Sequence, residues 1–292
     1  MHNNADPLKQ QRSVMALITL MRPKQWIKNG FVLAPLLFTG SFLDVAAVKH
    51  ALLAVLLFCI ASSATYIVND IQDIARDRQH PEKAKKRPLA SGAVTVRSAL
   101  TLLLILYALL FIGGWFSSKV IWVIVGYLLL NVAYSLVLKH QPVVDIFSIA
   151  LGFVLRVFAG AVALNVPISG WMFTTTLSLA LYLAAVKRSQ ELSQRGSGGR
   201  AVLKKYSQPL VDRYAEMSAT CALVFYSMFV MAAKPELVIS VPLVMFGLYR
   251  YWYVVDILGA GESPTDALLS DWPLLGTLVL WVGVCAWALW PV

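Results

Sequence analysis

The stretch "ALLAVLLFCIASSATYIVNDIQDIARD", residues 51–77, is uncharged from Ala51 to Val68 and then reaches three aspartates, Asp70, Asp73 and Asp77. An uncharged apolar run of about 18 residues is long enough to cross the hydrocarbon core of a bilayer as a helix. The rest of the chain has the same character, because 59% of its 292 residues are hydrophobic and only 14% are charged. This composition lies outside the range of soluble globular domains and predicts an all-α membrane protein with several spans.

Nine segments are long and apolar enough to be transmembrane helices. They are 26–43, 51–68, 98–118, 120–138, 143–165, 169–186, 215–234, 237–257 and 272–292. Residues 1–25 are polar with scattered charge and show no apolar core followed by a cleavage site, so we expect no removable signal peptide. We therefore predict a cytoplasmic N-terminal segment over 1–25 and a single transmembrane domain over 26–292.

The basic residues predict the orientation of these helices. Of the 25 Lys and Arg residues, 21 lie in the N-terminal segment, in alternate loops or at the helix ends on that same side, and three lie opposite. Because cytoplasmic loops carry an excess of Lys and Arg, we expect the N-terminus in the cytoplasm, the C-terminus outside and the chain in the inner (cytoplasmic) membrane. The net charge of +10 follows from the same bias, so no nucleic-acid partner is expected.

The three aspartates form a polar stripe at the predicted cytoplasmic end of the second helix. Asp70, Asp73 and Asp77 are spaced i, i+3 and i+7, and Asn69 lies four residues before Asp73. Like charges at this spacing repel, and bound divalent cations would relieve the repulsion. Carboxylate oxygens suit Mg²⁺, which commonly bridges one or two carboxylates to phosphate oxygens. The alternative is an interfacial helix end whose acids pair with nearby cations, namely Arg76, Arg78 and Lys83.

A basic loop follows the stripe directly. The segment "HPEKAKKRPLASG", residues 80–92, contains two prolines that prevent a continuous helix, and it carries the cations Lys83, Lys85, Lys86 and Arg87. Acids that bind metals beside bases that bind phosphoryl oxygens would together hold a metal diphosphate. An ordinary cytoplasmic loop explains the charge of this segment but not its position beside the acids.

The stretch "NDIQDIARD", residues 69–77, resembles the NDxxDxxxD signature of the UbiA-type membrane prenyltransferase superfamily. The resemblance implies nine helices around a central cavity open to the cytoplasm, with Mg²⁺ on Asp70, Asp73 and Asp77 as the metal-binding and catalytic residues. Further segments are similar to the decaprenyl-phosphate phosphoribosyltransferase-like branch. These segments are "MRPKQWIKNGFVLAPLLFTG" (21–40), "YSLVLKHQPVVDIFSIALGFVLRVFAGAVAL" (134–164), "AAVKRSQEL" (184–192) and "RYWYVVDILGAGESPTDALLSD" (250–271).

The chain departs from the superfamily pattern after the sixth predicted helix. Members that use prenyl diphosphates carry a second acidic motif there, whereas this chain has "KRSQELSQ", with Lys187, Arg188 and the single acid Glu191. A pair of cations cannot hold a second Mg²⁺ in the same way, but it can bind phosphate directly. The departure favours a pocket for two phosphorylated substrates, one bound through metal and one through cations.

The branch resemblance implies a reaction that fits such a pocket. A 5-phosphoribosyl group would pass from phosphoribosyl diphosphate to a polyprenyl phosphate, with release of diphosphate. The attacking phosphate oxygen is already anionic at neutral pH, so no strong general base is required. The expected partners are therefore these two substrates and membrane lipids, and the expected cofactor is Mg²⁺.

Other polar residues are candidates for substrate binding. The resemblance favours phosphate contacts for Lys24, Lys28 and Asn29, although a Lys at a helix entry is often an interfacial anchor. Tyr134 and Lys139 end the fourth predicted helix, and Asp145 opens the fifth and could instead pair with Lys139. The remaining substrate-binding candidates are Asn69, Lys86, Arg87, Lys187, Arg188, Glu191 and Glu262, of which Glu262 lies in a loop that could recognise ribose hydroxyls or could simply be solvated.

Arg156 lies within an apolar helix, more than two turns beyond Asp145. A charge at that depth is expected to face the interior of the bundle, where it either forms an ion pair or binds a phosphate.

Two other functions remain open at this stage. A prenyltransferase would move a prenyl group from a prenyl diphosphate to an aromatic or other acceptor. A transporter would place charged residues near the bilayer midplane on broken helices, and only Arg156 approaches that position.

Overall fold

Most of the chain that the structure describes is helical. The computed structural model describes residues 7–195, 201–259 and 264–290, and it contains no strand in those ranges. The α-helices are α1 (Pro7–Met21), α2 (Ala34–Phe38), α3 (Val45–Gln72), α4 (Ile74–Arg78), α5 (Lys83–Lys86), α6 (Val96–Phe116), α7 (Ser118–Leu136), α8 (Val144–Ala163), α9 (Gly170–Arg195), α10 (Gln208–Ala233), α11 (Val241–Asp256), α12 (Pro264–Ser270) and α13 (Trp272–Ala288). Short 3-10 helices occur at Pro23–Leu33, Ser41–Leu43, Leu138–His140, Ala201–Lys205 and Pro235–Ser240. The predicted all-α class is confirmed.

Six helical segments in the described ranges are long and apolar enough to cross a membrane. They are α3, α6, α7, α8, α10 and the continuous segment Pro235–Asp256, which ends with α11. A seventh span results if α12 and α13, which meet at an angle of 95°, cross the membrane together. The structure therefore confirms an integral membrane protein with six or seven such segments, and the predicted number of nine remains a prediction.

The first predicted span, 26–43, is not one continuous α-helix. The chain instead forms the 3-10 helix Pro23–Leu33, the short α2 and, after Gly40 with its positive φ of 72°, a second 3-10 helix. Packing against α8 explains this conformation in part: a Cβ added to Gly160 of α8 would lie 1.9 Å from the carbonyl oxygen of Val32. The close approach brings polar side chains of Pro23–Leu33 into the bundle.

Helix α9 covers nearly all of the predicted span 169–186 and extends beyond it, and it is more polar than the six segments above. Its first half contains Thr174, Thr175 and Thr176, and charged residues begin at Lys187, which lowers its hydropathy. The helix nevertheless packs along α8 and α10. It therefore places the "KRSQELSQ" segment, which departs from the superfamily pattern, alongside the ends of those two helices.

Helices α3 and α8 form the centre of the bundle. In each of them 61% of the most apolar 18-residue stretch is buried, compared with 22% in α6 and in α7. Small residues allow the close packing, since Ala54, Ala61 and Ala64 of α3 are fully buried. The two central helices carry four of the predicted site residues, namely Asn69, Asp70, Asp145 and Arg156.

Helix α1 occupies much of the predicted polar segment 1–25. Its end packs on α3, where Leu20 is fully buried in a cluster with Ala64 and Ile67. The next residue but one, Arg22, has a left-handed backbone conformation with a φ of 55°, and Pro23 begins the first 3-10 helix. This turn places the Arg22 side chain at the end of α3.

Candidate functional site

The acidic motif, Asp70, Asp73 and Asp77, lies where α3 ends and α4 begins. Helix α3 continues past Val68 to Gln72, and α4 starts after Asp73. Helical hydrogen bonds join the two, because the Asp73 N–H donates to the Asn69 carbonyl at 3.0 Å and the Asp77 N–H donates to the Asp73 carbonyl at 2.8 Å. The three carboxylates therefore keep the helical spacing that the sequence predicts.

Basic side chains surround the two buried carboxylates of the motif. Asp70 and Asp77 are each 3% exposed. The guanidinium groups of Arg22 and Arg87 both contact Asp70 Oδ1. Asp77 lies 3.5 Å from Lys83 Nζ and 4.0 Å from Arg87 Nη1. Arg87 therefore bridges the two carboxylates.

Only one of the local cations expected to pair with the motif does so. Lys83 contacts Asp77, whereas Arg76 and Arg78 are exposed. Arg22, which the sequence analysis did not select, is 48 residues from Asp70 and pairs with it through the fold. The signal that could have identified Arg22 is its place in the segment "MRPKQWIKNG", which carries part of the family resemblance.

The acidic motif fits magnesium by donor chemistry rather than as a preformed cage. Within the described ranges, no group of three or more His, Cys, Asp and Glu side chains is arranged to hold a metal ion. Two buried carboxylates nevertheless converge on one positive group, Arg87, and carboxylate oxygens are the ligands that Mg²⁺ prefers. A positive charge between Asp70 and Asp77 is thus already accommodated by the fold.

Asn69 faces a different neighbour from Asp70. Its Oδ1 accepts a hydrogen bond of 2.9 Å from the Ser135 hydroxyl on α7. Both residues line a cavity of about 120 Å³ between α3, α6 and α7, together with Thr65 and Asn131. Asn69, a predicted substrate-binding residue, therefore also makes a contact between α3 and α7.

A second group of cations comes together from three separate parts of the chain. Lys28 is half-buried, and it interacts repulsively with Lys187 of α9, Arg156 of α8 and Arg22, and attractively with Asp266 of α12. We call Arg22, Lys28, Arg156 and Lys187 the cationic cluster. Several cations near one partly buried place are typical of an anion-binding site. Three of its members were predicted as substrate-binding residues.

Arg156 is buried, with 5% of its surface exposed. Its Nε donates to Asn29 Oδ1 at 2.8 Å, its Nη1 to the Gly152 carbonyl at 2.8 Å and its Nη2 to the Tyr127 hydroxyl at 3.2 Å. None of the carboxylates in the described ranges forms an ion pair with it. Of the two predicted possibilities, the ion pair is therefore not found, and the phosphate contact stays a prediction.

Arg188, unlike Arg156, is neutralised. It is fully buried, its Nε lies 2.9 Å from Asp145 Oδ2, and its Nη1 contacts Glu191. The Tyr206 hydroxyl donates to Asp145 Oδ1 at 2.7 Å, and burial raises the pKa of Tyr206, which keeps this donor protonated. Asp145 thus pairs with Arg188 rather than with Lys139, and the sequence contained no signal for Tyr206.

The remaining candidates lie at the edge of the site. Lys24 is exposed, and Lys86 forms an exposed ion pair of 3.0 Å with Glu82. Tyr134 Oη lies 3.4 Å from Arg188 Nη2, and Lys139 is half-buried in the 3-10 helix Leu138–His140. Glu262 lies outside the described residues.

Comparison with known proteins agrees with the resemblance carried by the motif. The family model of the UbiA prenyltransferase family matches residues 31–262. A decaprenyl-phosphate phosphoribosyltransferase from Mycolicibacterium smegmatis is 34% identical, with 95% of this chain and 93% of that protein covered. A protein of the same name from Mycobacterium tuberculosis strain CDC 1551 is 32% identical, with 92% of each covered.

Solved structures share the fold. A UbiA homolog from Archaeoglobus fulgidus bound to GPP and Mg²⁺ aligns with a TM-score of 0.71, covering 95% of this chain and all of that one, at 21% sequence identity. Identity at that level supports the architecture and does not by itself assign a substrate. The predicted family resemblance is confirmed by the sequence matches and the shared fold together.

Proposed function

We propose that the protein is a membrane-embedded transferase that moves a 5-phosphoribosyl group from phosphoribosyl diphosphate to a polyprenyl phosphate. Diphosphate is the other product. The chain belongs to the UbiA prenyltransferase family. The names of the two bacterial relatives support this choice. The observation that carries it is the cationic cluster, because Lys187 of "KRSQELSQ" joins Lys28 and Arg156 where prenyl-diphosphate enzymes would place acids.

The donor diphosphate belongs, in this proposal, at the acidic motif. Asp70, Asp73 and Asp77 would hold Mg²⁺ with Asn69 in support, and the metal would neutralise charge on the leaving diphosphate. Arg87 and Lys83 lie beside these carboxylates, and their cationic groups can bind phosphoryl oxygens directly. Exposed Lys24 and Lys86, the second of which is paired with Glu82, are proposed as further phosphate contacts.

The other phosphate belongs at the cationic cluster. Lys28 and Lys187 are half-buried, so an anion between them replaces water and balances their mutual repulsion. The attacking oxygen belongs to a phosphate and needs no general base. Lys139 and Tyr134 are proposed as further contacts, and Glu262 as a contact to ribose hydroxyls.

Arg188 is better assigned to the framework than to direct phosphate contact. Its side chain is fully buried and is neutralised by Asp145 and Glu191, so little positive charge remains for a ligand. We propose that this ion-paired group fixes α9 against the start of α8. That position keeps Lys187 directed toward Lys28.

The topology forms part of the same proposal. Nine membrane helices would surround a cavity open to the cytoplasm, with 26–292 as one domain in the inner membrane and the N-terminus inside. The excess of Lys and Arg at the end that carries the acidic motif supports this orientation.

A transfer assay tests the function. Purified protein is incubated with Mg²⁺, polyprenyl phosphate and phosphoribosyl diphosphate labelled in the ribose, in parallel with a prenyl diphosphate and an aromatic acid. We expect label in the lipid fraction of the first reaction only. Product in the second reaction alone would replace the proposed function with prenyl transfer.

A pair of matched variants ties the activity to the acidic motif. Asp73→Asn removes one carboxylate at one end of α3, and we expect at least a roughly 100-fold loss of Mg²⁺-dependent product. Asp44→Asn makes the same change at the other end of α3, where Asp44 accepts the Ala46 N–H at 2.8 Å and Asn caps a helix equally well. Equal activity of the two variants would contradict the assignment of the motif.

A further inference from the structure

Two buried arginines on neighbouring helices have opposite electrostatic surroundings. Arg188 of α9 is in contact with two carboxylates, Asp145 and Glu191. Arg156 of α8 is 5% exposed, and the acceptors that contact it among the described residues are all neutral, the Asn29 amide among them. The fold therefore neutralises one buried charge and leaves the other positive.

The position of Arg156 makes a positive charge there energetically unfavourable. It lies 11 residues beyond Asp145 in α8, which corresponds to about 16 Å along a helix axis. Its guanidinium carbon is 4.9 Å from the ring centre of Tyr127, 5.4 Å from that of Phe153 and 5.7 Å from that of Phe58. Ring faces attract a cation but do not neutralise it, and charged groups at such depth commonly mark functional sites.

The guanidinium has hydrogen-bonding capacity left. It carries five N–H groups, and the contacts to Asn29, Gly152 and Tyr127 account for three of them. Lys28 and Lys187 contribute further positive charge to the same cluster. An anion with several acceptor oxygens, such as a phosphate, matches both the unbalanced charge and the remaining donors.

Asn29 holds this arrangement in place without taking part in charge balance. It is fully buried, and its Nδ2 is 3.2 Å from Cys59 Sγ and 3.2 Å from Ser62 Oγ of α3, so its Oδ1 is directed at Arg156 Nε. An aspartate at this position would accept the same hydrogen bond but would form an ion pair. The neutral amide orients the guanidinium and preserves its charge.

We infer that Arg156 binds a phosphate group of a substrate and that Asn29 is its positioning residue, which holds the guanidinium without neutralising it. The inference rests on the proposed function for the identity of the ligand. The phosphate belongs either to the ribose 5-position of the donor or to the head of the acceptor lipid. If Arg156 had only a structural role, any hydrogen-bond acceptor at residue 29, charged or neutral, would be sufficient.

The variant Asn29→Asp separates these two roles. It keeps the acceptor for Arg156 Nε and adds the negative charge, but it replaces the Nδ2 donor to Cys59 and Ser62 by an oxygen, so its Tm is measured beside that of the wild type to establish that it folds. A structural role predicts normal binding of both ligands by the folded variant, whereas we expect a roughly 10- to 100-fold weaker affinity for one phosphate ligand. Equilibrium binding is measured on the full chain in detergent with labelled ribose 5-phosphate and, separately, labelled farnesyl phosphate. A chelator in both assays removes any metal-dependent contribution.

The identity of the weakened ligand reveals the source of the phosphate. Loss of ribose 5-phosphate binding assigns Arg156 to the donor, and loss of farnesyl phosphate binding assigns it to the acceptor. Arg156→Gln, measured in the same way, should show the same loss and serves if Asn29→Asp does not fold.

The residue for the matched control variant, Asn165, lies just beyond the C-terminal end of α8. Asn165 Oδ1 accepts a hydrogen bond of 2.8 Å from Lys119 Nζ at an exposed position, so Asn165→Asp makes the same chemical change beside a cation. We expect its affinities to equal those of the wild type. Wild-type protein that binds neither ligand, or Asn29→Asp protein that binds both normally, would overturn the inference. Normal binding by Asn29→Asp alongside wild-type transfer activity would leave the proposed function intact.

Discussion

Replacing Arg188 by Met should destabilise the protein strongly. The substitution removes the cation from Asp145, which is itself fully buried, while a long apolar side chain fills much of the space. Breaking a buried ion pair from one side costs about 3–5 kcal/mol. Tyr206 still donates to Asp145 at 2.7 Å, so we expect the lower part of that range, a loss of about 3 kcal/mol in the free energy of unfolding.

The same reasoning predicts that a second substitution restores stability. Asp145→Asn in the Arg188→Met background removes the orphaned charge and keeps an acceptor for Tyr206, so it should recover about 1–2 kcal/mol. Unfolding is followed in mixed micelles by titration with SDS, and thiol labelling reports exposure of the buried Cys59 and Cys285.

Arg213→Met is the control for this prediction, because Arg213 is exposed on α10 and its loss should change stability by no more than about 0.5 kcal/mol. The reasoning is wrong if Arg188→Met is as stable as Arg213→Met. It is also wrong if the added Asp145→Asn change lowers stability further.

Three further predictions concern the packing and ends of the helices. Gly160→Ala should lower stability by about 1–3 kcal/mol in the same unfolding assay, because its Cβ would meet the Val32 oxygen at 1.9 Å. Gly126→Ala, where an added Cβ meets nothing within 4 Å, should not lower it, and equal losses would contradict the packing argument. Asp271→Ala should be less stable than Asp271→Asn by about 1 kcal/mol, because only Asn can still cap the Leu274 N–H of α13, and equal stability would exclude a capping role. Burial raises the pKa of Tyr206, so its contribution to stability should be complete below pH ~10 and decline above it. In unfolding measured from pH 8 to 11, Tyr206→Phe should show a smaller alkaline decline than the wild type, and an identical decline would refute this assignment.

The membrane helices show where sequence patterns are sufficient and where they are not. The apolar runs at 51–68 and 143–165 correspond to α3 and α8, because an apolar run of that length forms a helix in a bilayer, where the backbone polar groups must be hydrogen-bonded within the segment. The run at 26–43 is also largely apolar, but it forms 3-10 turns and the short α2. Its conformation depends on close contact with Gly160, more than 100 residues away, which no local window contains.

For the acidic motif, too, one part of the arrangement follows from the sequence and another part does not. The spacing of Asp70, Asp73 and Asp77 follows from the sequence alone, because helical periodicity is a local property. The partners of Asp70 do not follow from it: Arg22 reaches the motif because α1 ends against α3.

Composition and motif spacing are enough to identify a helical membrane protein of a recognisable family, with carboxylates at one end of its second apolar run. The balance of the buried charges, in contrast, follows from tertiary contacts. Arg156 and Arg188 both lie in long helices with no acid directly beside Arg156 and one acid three residues from Arg188. Their difference arises because α8 and the Pro23–Leu33 segment bring an amide to Arg156, whereas the start of α8 brings Asp145 to Arg188. The energy of a buried charge depends on the groups within a few ångströms, and in this fold those groups come from distant parts of the chain.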